Sequence, residues 1–177
     1  DALTRLREGN ARFLAGPPTR DTLADRHRLR ELSGGQDPFA IILGCADSRV
    51  PAEIVFDQGL GDLFVIRVAG NIVAPSLVGS VEFSATRFGT PLVVVLGHSN
   101  CGAVLATIEE LQRPSSDQSR NLRSIVDRIR PSVEGLLHSG LQADPERLVH
   151  EAVRANIRAS ANHLRHGSEV LEQLIGE

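Results

Sequence analysis

The chain has 177 residues, of which 41% are hydrophobic and 23% charged, with a formal net charge of −3. That size and composition fit one soluble globular domain with a usable core. No basic block recommends nucleic acid or an anionic membrane as partner, and no apolar run approaches the roughly 20 residues that span a bilayer.

The opening residues are charged and amphipathic, unlike a signal peptide, which points to a cytoplasmic protein. Met is absent, even at position 1, so the chain reads as a processed product, a trimmed piece or a domain of something longer. Leu3, Leu6, Phe13 and Leu14 fall among Arg, Glu and Asn, the pattern of an amphipathic helix over residues 1–14. Gly16-Pro17-Pro18 ends it. A polar helix over Leu23 to Leu32 is broken by Gly34-Gly35, completing an N-terminal helical arm of about 33 residues.

Phe39 to Gly44 then runs apolar without alternation, which suits a parallel strand buried on both faces. Leu63 to Ala69 is a second such strand, interrupted by Arg67, and Leu92 to Leu96 a third. Ser76 to Arg87 reads as the crossover helix between them. Helices follow over Gly102 to Leu111, Gln118 to Leu137, Pro145 to Leu164 and Glu169 to Ile175. Strands alternating with helices predict an α/β domain: a mostly parallel central sheet flanked by helices, with an N-terminal helix extension. A helix ending at Gly176 commonly leads onward to a strand, so a further strand is expected beyond Glu177.

Two cysteines leave structural thiols, a disulfide, metal binding and catalysis all open. Their surroundings narrow the choice. Cys45 follows the first strand directly; His98 and Cys101 follow the third. The C-terminal ends of parallel strands share one edge, where ligands bind at a topological switch point. Two thiolates and one imidazole make a borderline-soft donor set that suits zinc, and three protein ligands leave a fourth tetrahedral position open, as in catalytic sites. On their own, two buried thiols and a core histidine would account for these residues equally well. Asp47 and Arg49 tip the balance. In Cys45-Ala-Asp-Ser-Arg49 a guanidinium stands where it can hold a carboxylate bidentately and keep it ionised. A carboxylate fixed beside a metal can accept the proton of coordinated water in a hydrogen bond.

Cys45-Ala-Asp-Ser-Arg-Val-Pro51, followed by Gly97-His-Ser-Asn-Cys-Gly102, resembles the two metal motifs of the β-class carbonic anhydrases. Leu6 to Phe13 resembles the N-terminal helix of that family, and Gly61 to Asn71 the segment between the motifs. The resemblance implies one zinc per chain on Cys45, His98 and Cys101, a catalytic dyad of Asp47 and Arg49, and hydration of carbon dioxide to bicarbonate. It assigns Gln36 to a contact with substrate oxygen, Phe64 and Phe83 to the walls of the substrate pocket, and the Gly102 backbone N–H to bound bicarbonate. Phe83 stands where plant-type members carry Tyr, which keeps the wall and removes a hydroxyl. From the residues alone, Phe64 and Phe83 read equally as core packing and Gln36 as a solvated loop residue. Family members build this pocket at a dimer interface, so a homodimer or tetramer is expected, with no nucleic acid and no membrane contact.

Some bacterial members carry a second bicarbonate site marked by a Trp. Ile42 occupies that position here and the chain has no Trp, so a Trp-dependent site is not expected, although Arg67 matches another part of it. A closed form with Asp47 on the metal at low pH stays open. His27, His138, His150, His163 and His166 belong to no motif and read as surface residues rather than a proton shuttle. Competing readings are the same zinc site acting on carbon disulfide or carbonyl sulfide, a weakly active zinc domain attached to a larger protein such as an anion transporter, and a Cys45–Cys101 redox pair.

Overall fold

The structure, a computed structural model, describes residues 1–16, 26–114 and 119–176. Three parallel strands form one sheet in the order β2-β1-β3, with β1 at Ala40–Cys45, β2 at Leu63–Val68 and β3 at Val93–Leu96. Helices α1 (Ala2–Ala15), α2 (Arg26–Leu32) and α3 (Ala52–Val55) precede β2, and α4 (Pro75–Phe88) connects β2 to β3. The chain then continues through α5 (Gly102–Gln112), α6 (Arg120–Leu137), α7 (Pro145–His166) and α8 (Glu169–Gly176). The α/β architecture expected from the alternating pattern is present.

Several boundaries differ from expectation. β1 runs one residue further, so Cys45 is its last residue rather than the first after it. All six residues of β1, the central strand of the described sheet, are buried. β2 and β3, each with one strand neighbour in the described sheet, are less completely buried: Arg67 is exposed and Val93 retains 37% exposure. The predicted start of the second helix at Leu23, the Pro17-Pro18 stop and Gln118 lie outside the described residues. α6 runs straight through Pro131, which removes one helix hydrogen bond. Ile129 and Val133, both fully buried on the same helix, outweigh that loss.

The chain divides into two compact units, residues 1–43, 48–66 and 79–94 in one, and 44–47, 67–78 and 95–177 in the other. The division cuts β1 and β2 near their C-terminal ends and β3 at its middle. Cys45, Asp47, His98, Cys101 and the turn after β2 therefore all belong to the second unit.

In the first unit α1 is fastened to its own chain. The Asp1 carboxylate caps it by accepting from the Thr4 N–H at 2.8 Å. Asn10 donates to the Val55 carbonyl at 2.9 Å, and Arg12 pairs with Asp57 at 2.6 Å. Arg5 pairs with Asp62 at 2.9 Å and lies 4.0 Å over the Phe39 ring. Leu6 supplies the buried apolar contact. Gly9 is needed for this docking, because a Cβ there would lie 1.8 Å from the Phe56 carbonyl oxygen.

The core of the second unit is built by α5, α6 and α7. Val104, Ile108, Ile129, Val133, Leu148 and Ala152 pack together, and Cys45 and Cys101 are part of the same cluster. Asp144 caps α7 through the Arg147 N–H at 3.1 Å.

Gly9→Ala is expected to destabilise the protein by about 1–3 kcal/mol, since backbone must move to admit the methyl group. Urea unfolding compared with an exposed control, Gly16→Ala, checks this; equal midpoints would show that α1 does not dock as described.

Candidate metal centre

The centre is assembled from two strand ends. At the first, β1 delivers Cys45 and the chain turns through Ala46 and Asp47. That turn is held from β2: the Ala46 N–H donates to the Val68 carbonyl at 3.1 Å, and Arg67 donates from Nε to the Cys45 carbonyl at 2.9 Å and from Nη2 to the Asp47 carbonyl. Arg67, which looked like an interruption of an apolar strand, thus ties down the main chain on both sides of Ala46.

At the second strand end, β3 delivers His98 through Gly97. A Cβ at Gly97 would come within 2.6 Å of the Ile157 side chain, so only glycine lets α7 approach this closely. Asn100 adopts a left-handed conformation, φ 54°, which turns the chain so that Cys101 becomes the N-cap of α5. Gly102 is the first residue of α5 and is exposed.

The two turns converge. Cys45 and Cys101 are free and buried, with their sulfurs 3.9 Å apart. A disulfide would require ~2.05 Å, whereas two thiolates each ~2.3 Å from one tetrahedral ion lie ~3.8 Å apart. One ligand atom from each of Cys45, His98 and Cys101 lies within 4.8 Å of the other two. His98 Nδ1–H donates to the Ser99 carbonyl at 2.9 Å, which leaves Nε2 as the nitrogen with the lone pair. That Nε2 is buried and has no hydrogen-bond partner among the described residues. An unmet imidazole lone pair facing two buried sulfurs is what a soft dication would satisfy, so the residues fit a zinc ion. Asp47 stands beside them, with Oδ2 3.7 Å from His98 Nε2.

The 69–71 turn contributes a group that sequence reasoning missed. Gly70, with φ 72°, donates its backbone N–H to Cys45 Sγ at 3.3 Å. The signal was Ala69-Gly70-Asn71 directly after a strand, a place where the backbone leaves ordinary φ values. A Cβ at Gly70 would lie 2.7 Å from Ile129 Cδ1 and 3.0 Å from Ala103 Cβ, so glycine is required by space as well as conformation.

The remaining predicted residues belong to the first unit. Arg49 is exposed in the segment after Asp47. Phe64 and Phe83 pack with ring centroids 6.3 Å apart. Phe88, not singled out from sequence, completes the cluster edge-on to Phe83 at 5.6 Å. Half of the six Phe residues of a chain without Trp or Tyr gather here, a concentration visible only in three dimensions. Gln36 is exposed and, with Phe88 and Gly61, lines an open cavity of about 500 Å³. The five histidines without a motif are all exposed.

A comparison with protein families matches residues 40–177 to the family described as carbonic anhydrase. The chain belongs to the β-carbonic anhydrase family. It is 47% identical over 154 residues to carbonic anhydrase 2 of Mycobacterium tuberculosis (strain CDC 1551 / Oshkosh), covering 84% of this chain and 72% of that protein. Its fold is similar to that of a tetrameric β-carbonic anhydrase from Sordaria macrospora, with a TM-score of 0.75 and 23% identity over 86% of this chain and 77% of the other. A β-carbonic anhydrase from Aspergillus fumigatus gives a TM-score of 0.76 at 23% identity, covering all of this chain and 81% of the other.

In this carbonic anhydrase family chain the two thiols titrate as a pair. The hydrogen bond from the Cys101 thiol holds Cys45 well below the usual thiol range; burial opposes this, and N–H groups at Asp47 and Gly70 reinforce it. The same bond, with burial, pushes Cys101 above the usual range. Near neutrality the pair therefore shares one proton, and a metal must displace it. Zinc affinity is expected to rise about tenfold per pH unit between about pH 6 and 8. Chelator competition across that range checks this: a slope near two would mean both thiols are protonated, and a flat line neither.

Proposed function

We propose that this chain is a zinc-dependent carbonic anhydrase that interconverts carbon dioxide and bicarbonate, with Cys45, His98 and Cys101 as metal ligands. The observation that carries the reading is the unpartnered His98 Nε2 facing two free sulfurs 3.9 Å apart, with a carboxylate alongside. Membership of the carbonic anhydrase family supports the substrate, which the donor set alone does not specify. Carbon disulfide and carbonyl sulfide gain no comparable support.

Bound zinc would supply a hydroxide nucleophile by lowering the pKa of water from 15.7 toward about 7. Asp47, 3.7 Å from the ligand nitrogen, accepts the hydrogen bond of the attacking oxygen and turns its lone pair toward the carbon of carbon dioxide. The Arg67 bonds to the Cys45 and Asp47 carbonyls hold the carboxylate's backbone in place while this happens. The motif assigns Arg49 to keeping Asp47 ionised. The resemblance to the family assigns Phe64 and Phe83 to an apolar wall, Gln36 to a substrate oxygen and the Gly102 N–H to product bicarbonate. His98 Nδ1–H, bonded to Ser99, keeps the imidazole in the ligating tautomer throughout.

The reading also includes assembly of identical subunits. Phe83 retains 53% and Leu14 76% exposure on this chain, apolar surface that a second copy would cover, and the Sordaria relative is a tetramer.

Metal analysis joined to stopped-flow hydration kinetics tests the proposal. One zinc per chain is expected, lost in Cys45→Ser. Asp47→Asn is expected to keep its zinc and lose about 100-fold or more in kcat/KM near neutral pH. A zinc-free wild type would end the reading, and a fully active Asp47→Asn would end the role of the carboxylate. Two thiolate ligands donate more charge than imidazoles, so kcat is expected to climb from about pH 6 to 9; a flat profile over that range would contradict the proposed ionisation.

A further inference from the structure

α7 places two polar side chains where the centre's apolar surroundings offer few partners. Asn156 is 2% exposed and Ser160 is 5% exposed. Four residues apart, they project from the same face of the helix. Both bond to the turn that touches the ligand. Asn156 Nδ2 donates to the Gly70 carbonyl at 2.7 Å, and Ser160 Oγ donates to the Asn71 carbonyl at 2.9 Å. These two turn residues have positive φ values of 72° and 43°. Consecutive left-handed residues, one of them not glycine, hold only where their surroundings impose them. The N–H of Gly70 itself, in the peptide unit just before, reaches Cys45 Sγ at 3.3 Å.

We infer that Asn156 and Ser160 are positioning residues for the metal centre, acting through the 69–71 turn to hold the Gly70 N–H on the Cys45 sulfur. An N–H donated to a thiolate draws electron density from it, orients its remaining lone pairs and steadies the deprotonated form that a metal requires. Asn156 lies 111 positions from Cys45 in sequence, yet a single residue, Gly70, bonds to both of them. Release of the clamp lets the turn relax toward ordinary φ values, which carries the N–H off the sulfur. The thiolate then becomes more electron-rich and less firmly oriented. The inference rests on Cys45 being a metal ligand.

The test compares wild type, Asn156→Leu, Ser160→Ala and Ser160→Thr for zinc affinity by chelator competition and for the thiolate-to-metal charge-transfer band of the cobalt-substituted proteins. Far-UV circular dichroism establishes that each is folded. Asn156→Leu is expected to weaken zinc binding by about 10- to 100-fold, the usual cost of removing a partner that orients a ligand. It is also expected to move the charge-transfer band to longer wavelength, because the sulfur has lost a hydrogen bond. Ser160→Ala should shift both in the same direction by less, and Ser160→Thr, which keeps the hydroxyl, should match wild type. A purely structural role would lower stability and leave the band in place. Folded Asn156→Leu and Ser160→Ala proteins with wild-type affinity and band overturn the inference; if Asn156→Leu does not fold, Ser160→Ala alone decides. Zinc retained at one per chain in Cys45→Ser would instead overturn the reading of the site itself.

Discussion

The contact on which the second unit depends is the 3.9 Å approach of two free sulfurs inside an apolar cluster, with an imidazole nitrogen turned toward them. Burial of polar groups without partners is unfavourable by roughly 1–3 kcal/mol each, and here the unmet group is a lone pair that no described donor reaches. A cation answers all three groups at once. Without one, the thiols share a proton between them, which accounts for the opposite displacement of their acidities. Val104, Ile129 and Val133 pack in the same buried cluster as the two cysteines and offer them no polar partner.

Delivering these atoms to one point requires backbone shapes that ordinary residues resist. Gly70, Asn71 and Asn100 all have positive φ. A left-handed residue other than glycine is strained by about 1–2 kcal/mol, and side chains from α7 and the start of α5 offset that strain with hydrogen bonds and close packing. Gly97 answers a different need: with no Cβ it lets Ile157 pack directly on the strand that carries His98. The turns of the candidate centre are thus held by several contacts each, and groups held in advance would lose little freedom on binding a metal.

Much of this was legible in the sequence, for identifiable reasons. β1 could be read because six buried residues in a row leave no polar signature to confuse it, and Cys45-Ala-Asp-Ser-Arg49 stood out because chemically unlike groups were packed into five positions. The bounds of β2 and β3 were harder, since both strands contain exposed residues that interrupt the apolar pattern. Arg67 shows the cost of reading one residue at a time. It interrupts an apolar pattern, yet its guanidinium spans two carbonyls of the ligand turn, and nothing in the local pattern reveals a hydrogen bond across 22 positions. Asn156 and Ser160 were invisible for the same reason, because they sit on an amphipathic helix where polar residues normally face water. Phe88 lacked a motif and gained meaning only beside Phe64 and Phe83.

The balance of charge explains why such supports matter. Under the proposed function, a dication with two thiolates and a neutral imidazole carries no net charge, whereas three imidazoles would leave it at about +2. Its pull on a fourth ligand is correspondingly weaker, and the Asp47 carboxylate 3.7 Å from His98 adds further negative charge nearby. The Gly70 N–H works in the opposite direction, drawing density from one sulfur without adding a formal charge that would need burial. A buried guanidinium or ammonium in that place would interact more strongly, but at a desolvation cost of several kcal/mol. A backbone dipole fixed by two neutral side chains achieves part of the same effect within an apolar core. That choice ties the electronic character of the centre to the packing of α7, far along the chain from any ligand.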